Sequence, residues 1–133
     1  MDNVNVGDII LVRDYKDGNR SISGHSFVVI SSEAGEVKGL EYDVICNVLS
    51  SFKGEEQRKR KLGYPGNFEI SHKDSSVPGG NDKDGYIKAE QFYFFKLDKI
   101  DYSVIGKLDD EVLKKLLLFI ADFISVKLIV DNL

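Results

Sequence analysis

From Gly85 the chain reads Gly-Tyr-Ile-Lys-Ala-Glu-Gln and runs straight into Phe92-Tyr93-Phe94-Phe95. The first half alternates with a period of two. That places Tyr86, Lys88 and Glu90 on one face of a strand and Ile87, Ala89 and Gln91 on the other. The second half sets Phe92 and Phe94 on one face and Tyr93 and Phe95 on the other, so both faces call for cover. A strand of this kind organises the rest of the chain. Lys88 and Glu90 make an ordinary surface pair of little energetic weight. The same pair is also an arrangement that can grip a phosphate and move a proton beside it.

Other segments supply partners for that strand. Asp8-Ile9-Ile10-Leu11-Val12 reads as a strand with Gly7 as its turn residue. A polar loop is expected over Asp14 to Gly24, followed by a second strand, His25 to Ile30, and a turn through Ser31 to Gly39. Tyr42 to Leu49 reads as the third strand, ending on Ser50-Ser51, and Asn67 to Ile70 as a fourth. Asp74 to Gly85, rich in Ser, Gly, Asp and Asn, reads as an exposed loop. Tyr102 to Ile105 adds a last short strand. Asp109 is placed to cap a helix whose first turn holds Asp110 and Glu111. Val112, Leu113, Leu116, Leu117, Ile120, Phe123 and Ile124 then recur at helical spacing. Leu118 and Phe119 widen that apolar face beyond what packing on one sheet needs, which hints at a partner surface. The expected fold is α+β and mainly β: one domain over 1–133, a small barrel of five to seven short strands with a C-terminal helix.

Bulk properties narrow the function. A chain of 133 residues is large enough for a real core. A formal charge of −4 gives no global pull toward nucleic acid, so such binding needs a local basic surface. The single cysteine, Cys46, excludes an internal disulfide, and its apolar neighbours favour a buried, inert thiol. The first five residues are neither basic nor apolar, and the longest apolar run, Leu116 to Ala121, is far too short for a bilayer. The expected location is the cytoplasm, with no membrane partner.

Several tempting motifs fail on their chemistry. Asp82 to Ile87 looks like the middle of a calcium-binding loop, but the first and twelfth positions fall on Gly80 and Gln91, which offer no carboxylate. Two scattered histidines and one cysteine give no zinc spacing. Gly79-Gly80 lacks the Lys-Ser/Thr of a phosphate loop. No cofactor or metal is expected. The charged run from Lys53 to Lys61 reads as a solvated loop or a short frayed helix. Its cluster Arg58-Lys59-Arg60-Lys61, with Lys16 and Arg20 in the first loop, is the candidate contact for an RNA backbone. His72, beside Lys73, is expected to be solvated and without a role.

The order of these pieces resembles the MazF/PemK (Kid) toxin family. Gly7 to Val12, a polar loop and His25 to Ile30 are similar to the family's opening. Val48-Leu49-Ser50 is similar to its Ile-Thr or Val-Thr-Ser, and Ile87-Lys88-Ala89-Glu90-Gln91 resembles its Val-Arg-Cys-Asp-Gln. Ile105 to Glu111, leading into an apolar helix, is close to its ending. The resemblance implies an SH3-like barrel, usually a homodimer. It also implies a metal-independent endoribonuclease that cuts single-stranded RNA to 2′,3′-cyclic phosphate and 5′-hydroxyl ends and is silenced by a cognate antitoxin.

Carried over by position, the resemblance makes His25, Ser50, Lys88 and Glu90 the catalytic set. Lys88 stands where the family has a catalytic arginine, Glu90 where it has an aspartate, and Ser50 at a phosphate-contacting threonine. His25 and Ser26 replace an Arg-Pro pair, and Tyr93 stands at a further arginine. Neither His nor Lys reproduces the forked donor geometry of Arg. The set is chemically coherent all the same. Glu90 can take the 2′-hydroxyl proton and His25 can protonate the leaving oxygen. Lys88 and the Ser50 hydroxyl can hold the developing charge. These four side chains are expected to converge on one groove beside the 14–24 loop. Two other readings stand beside this one: a catalytically inactive barrel that binds protein or RNA, and a CcdB-like toxin acting on a topoisomerase.

Overall fold

The computed structural model describes residues 4–17, 20–71, 73–76 and 84–133; at 17, 20–23, 75 and 76 it describes the backbone alone. The chain forms a mainly β, α+β fold, a curled half-barrel of antiparallel strands with two helices. The sheet runs β10 (Lys127–Ile129), β8 (Gly85–Phe95), β5 (Val44–Ser51), β2 (Arg20–Ser31), β1 (Asp8–Asp17), β9 (Tyr102–Leu108) and β7 (Ser75–Ser76), with β6 (Asn67–Ile70) also paired to β8. No helix among the described residues is long and apolar enough to cross a membrane.

The expected loop from Asp14 to Gly24 is a correction. β1 (Asp8–Asp17) and β2 (Arg20–Ser31) form one long antiparallel hairpin, paired from Ile9↔Val28 out to Asp17↔Arg20. Polar residues are tolerated in this arm because the backbone ladder, not apolar burial, holds it together. Gly24 sits at φ +62, a left-handed conformation that costs a side-chain-bearing residue strain, and it falls where the arm leaves the core. Tyr15 ties the arm down: its ring is buried against His25, Phe27 and Tyr93, at centroid distances of 4.9, 5.4 and 6.0 Å.

The strand anticipated at the centre is β8 (Gly85–Phe95), which pairs on one side with β5 (Val44–Ser51). Its other side is shared by β6 (Asn67–Ile70) near Gly85 and by β10 (Lys127–Ile129), a parallel strand, near Phe92. The sheet is buried on both faces. One face collects Ile10, Val12, Phe27, Val29, Cys46, Tyr93 and Phe95. The opposite face collects Ile9, Val28, Ile87, Ala89 and Leu108 under the helix residue Leu116. Cys46 is fully buried, and burial pushes its thiol well above the usual range.

The ladder between β5 and β8 is broken once. Cys46 pairs with Tyr93 and Val48 with Lys88, so β8 carries extra residues between those points. Asn47 fills the gap. It is fully buried, and its Nδ2 donates to the carbonyls of Gln91 (2.9 Å) and Ala89 (3.4 Å).

The remaining elements close the edges. β3 (Gly35–Val37) and β4 (Leu40–Tyr42) make a separate small hairpin turning through Lys38 and Gly39, both at positive φ. α1 spans Glu55–Leu62. β7 (Ser75–Ser76) pairs with β9 (Tyr102–Leu108), which borders β1. The helix after Asp109 is α2 (Asp110–Ala121), shorter than the apolar spacing suggested. Because it stops at Ala121, Ile124 falls in the link to β10 and is fully exposed, and Leu117 is exposed as well. The Ser- and Gly-rich loop expected over Asp74 to Gly85 lies for the most part, at 77–83, outside the described residues.

Candidate functional site

An open groove of about 850 Å³ crosses the middle of β2 and the ends of β5 and β8, with α1 along one wall. β2 contributes Gly24, His25 and Ser26; β5 contributes Leu49, Ser50 and Ser51; β8 contributes Tyr86. The far wall is Phe52, Lys53, Gln57 and Lys61, from the link after β5 and from α1.

Sheet register explains the floor. Ser26 pairs with Leu49, so His25 and Ser50 are the next residues outward on neighbouring strands, and Ser50 pairs in turn with Tyr86. Three strands thus place an imidazole, a hydroxyl and a phenol in one row. The His25 ring packs on Tyr15, and its Nδ1 is enclosed with no hydrogen-bond partner among the described residues. Nε2 is therefore the nitrogen left to the groove.

The wall is a helix made by charge, not by burial. Glu55 and Glu56 lie in its first turn and Lys59, Arg60 and Lys61 in its last, each complementing the helix dipole, and no residue of α1 is buried. Its anchors are polar. The Arg58 guanidinium pairs with Glu69 on β6 and with Glu55, lies 5.9 Å from the Phe52 ring centroid, and is held further above its ordinary pKa by the Glu69 hydrogen bond and charge. Asn67 Nδ2 donates to the Lys61 carbonyl at 2.8 Å. Helical spacing then sorts the basic cluster. Gln57 and Lys61, four residues apart, face the groove; Arg58 faces β6; Lys59 and Arg60 are exposed and do not line the groove. Lys53 joins Lys61 there, and its backbone N–H donates to Gln57 Oε1 at 2.5 Å.

Of the four residues expected to converge, His25 and Ser50 do. Lys88 is half-buried farther along β8, opposite Val48 and Asn67, and is not part of the groove lining. Glu90 is exposed and its carboxylate sits over Gly66, so closely that a side chain at Gly66 would collide with it. Period-two alternation holds through Ala89, with Ile87 and Ala89 on one core face, and the strand changes phase between Ala89 and Tyr93, which lies on the opposite face. Lys16 is exposed on the hairpin arm, away from the groove lining. The side chain of Arg20, all of His72 and the segment 80–83 of the supposed calcium loop lie outside the described residues. Tyr93, at the position of a family arginine, is a core residue whose hydroxyl donates to Gln91 Oε1 at 3.0 Å.

Chemically, the groove suits an anion. Two lysines, three serines and one imidazole line it, with no carboxylate among the described residues that do so. Among the described residues no three His, Cys or carboxylate side chains gather as a metal site. Phe52 and Tyr86, 5.3 Å apart between centroids, add an aromatic corner. Lys53, Phe52, Gln57 and Tyr86 were not singled out from the sequence as groove residues. The four-residue spacing Lys53, Gln57, Lys61 is the signal that would have found the wall. No family model matches the chain, and no curated protein matches it.

Proposed function

We propose that the protein binds single-stranded RNA in this groove and cleaves it, as a toxin-like endoribonuclease of the MazF/PemK kind. The observation that carries the reading is the placement of His25 and Ser50 side by side beneath Lys53 and Lys61. His25 Nε2 takes the proton of a ribose 2′-hydroxyl, and the freed oxygen attacks the adjacent phosphorus. Lys53, Lys61 and the Ser50 hydroxyl balance charge on the phosphate oxygens. The 5′-oxygen leaves and is protonated by the imidazolium or by water, giving a 2′,3′-cyclic phosphate and a 5′-hydroxyl. In this reading Lys88 is an outlying cation along the strand's path, and Glu90 is not the base. A cognate antitoxin protein would silence the enzyme by covering the groove. The exposed Leu117, Leu118 and Ile124 around the end of α2 supply a surface for a homodimer.

The test is incubation of a long unstructured RNA with the protein in excess chelator, with end-group analysis of the fragments. Wild type should cleave, and His25→Ala should lower the rate by about a hundredfold or more. Activity lost with the chelator would refute the metal-independent mechanism. A second reading, an RNA-binding module without catalysis, is favoured by the single imidazole and absent carboxylate in the described lining. Tight RNA binding without cleavage by folded wild type would establish it.

A further inference from the structure

We infer that Tyr86 is a further catalytic residue of the groove, its phenol giving up the proton that the leaving 5′-oxygen takes. The inference rests on the RNA-cleaving reading above and deepens it. Ser50 pairs directly with Tyr86, and His25 stands opposite Ser50 in the register that pairs Ser26 with Leu49. Residues directly across a ladder point to the same side of the sheet, and all three line the groove. Ser50 sits between the other two, whose backbones lie two strand spacings apart, roughly 10 Å. The row is held in place. A side chain at Gly85 would collide with the Ser50 carbonyl, so its absence lets β8 close on β5 there. The Phe52 ring packs on the Tyr86 ring, 5.3 Å between centroids at a tilt of 31°. Tyr86 is only 4% exposed, yet its hydroxyl is not closed off. Among the described residues the side-chain atoms enclosed without a partner are His25 Nδ1 and Asn47 Oδ1; the Tyr86 hydroxyl, which has no hydrogen bond there, is not one of them. It therefore stays open, and the groove is what it opens on.

In-line displacement calls for such a row. The attacking 2′-oxygen and the leaving 5′-oxygen lie at opposite apices of the phosphorus, so base and acid belong on opposite sides of it. A phosphate seated over Ser50 has His25 on one side and Tyr86 on the other. His25 Nε2 takes the 2′-hydroxyl proton as the O2′–P bond forms. The P–O5′ bond breaks, and its electron pair takes the proton of the Tyr86 hydroxyl. Proton return from the imidazolium to the phenolate through water then restores both groups. A phenol is a stronger acid than the ribose alcohol it creates, so the proton passes downhill. The serine hydroxyls of the groove are alcohols like the leaving group and lack that advantage, and Lys53 and Lys61 stand on the far wall.

The experiment uses the full chain in excess chelator and two single-stranded RNAs of one sequence. One is ordinary; the other carries sulfur in place of the bridging 5′-oxygen at the position wild type cuts. A thiolate leaves without taking a proton, so the second substrate needs no acid. Tyr86→Phe keeps the ring against Phe52 and removes only the hydroxyl. It should cleave ordinary RNA about a hundredfold or more slower than wild type, and the sulfur-bridged RNA close to the wild-type rate. Full speed on the second substrate also shows that the variant is folded and binds RNA. His25→Ala should be slow on both, because the 2′-hydroxyl proton must still be removed. A Tyr86→Phe protein as fast as wild type on ordinary RNA, or equally slow on both substrates, would overturn the inference and leave the cleavage reading intact. A folded wild type that cleaves neither substrate would overturn both.

Discussion

Asn132 and Lys16 exchange a pair of hydrogen bonds: the Lys16 N–H donates to Asn132 Oδ1 at 2.7 Å, and Asn132 Nδ2 donates to the Lys16 carbonyl at 3.1 Å. A side chain at the end of the chain thus pairs with the backbone of β1 as a neighbouring strand would. Directly before Val130-Asp131, β10 is paired to β8 through Ile129↔Tyr93. The C-terminal segment therefore links the β8 side of the sheet to the β1–β2 arm, and Ile129 packs on the core face between them.

Asn132→Ala should lower the urea midpoint of unfolding, with a loss of about 1–3 kcal/mol for the two bonds. The Lys16 amide should exchange with solvent faster in the variant. Unchanged exchange at Lys16 would show that the arm does not depend on this link.

Asn47→Ala should cost more, because Asn47 is fully buried whereas Asn132 keeps some exposure. Removing it strands the carbonyls of Ala89 and Gln91 in the core and leaves a void, and a loss of roughly 3 kcal/mol or more is expected. Thermal and urea unfolding would measure it. A loss no larger than that of Asn132→Ala would mean the β8 irregularity is held by the ladder alone.

The Lys96–Asp43 pair gives a pH signature. Asp43 Oδ1 accepts from Lys96 Nζ at 3.1 Å, and that hydrogen bond and charge raise the lysine's pKa above its ordinary value. A raised folded-state pKa contributes stability that is fully present below the unfolded lysine value of about 10.4 and is lost as pH climbs through the folded value. Asp43→Asn removes the charge while keeping an acceptor for the Leu97 N–H, which Asp43 Oδ2 now accepts at 2.8 Å. The stability gap between wild type and variant should hold steady from neutral pH to about pH 10 and shrink above it. A gap that stays constant into stronger alkali would remove the pair from the account.

In the groove, Lys61→Ala should weaken RNA binding and flatten its salt dependence by about one phosphate contact. Lys59→Ala, at an exposed position off the groove, should change both far less. Equal effects would assign binding to general charge instead of to the groove. Glu90→Gln should leave cleavage within about threefold of wild type, against the hundredfold or greater loss expected at His25. A collapse at Glu90→Gln would return that carboxylate to the chemistry.

Local periodicity was enough to read β8, β5 and the inner part of β2, because residues such as Phe27, Cys46 and Phe95 alternate with a period that only a strand satisfies. It also located the start of α2 and the burial of Cys46. Which residues form the groove was only half legible. His25 stands where the apolar run of β2 begins and Ser50 where that of β5 ends, both marked by the apolar pattern, but Gln57 and Lys61 face inward through the phase of a helix with no buried residue to set it.

What the sequence alone determined is the set of segments that must hide apolar side chains, since that follows from spacing along the chain. Tertiary structure decided the rest through contacts between distant residues. The polar arm beyond Val12 is a strand because β2 lies beside it and Gly24 can bend. Lys127–Ile129 is a strand because β8 offers it a free edge. β8 changes face between Ala89 and Tyr93 where Asn47, far earlier in the chain, grips the carbonyls of Ala89 and Gln91. A hydrogen bond across the sheet has no signature in the spacing of either strand, so only the folded chain could show where these side chains come to rest.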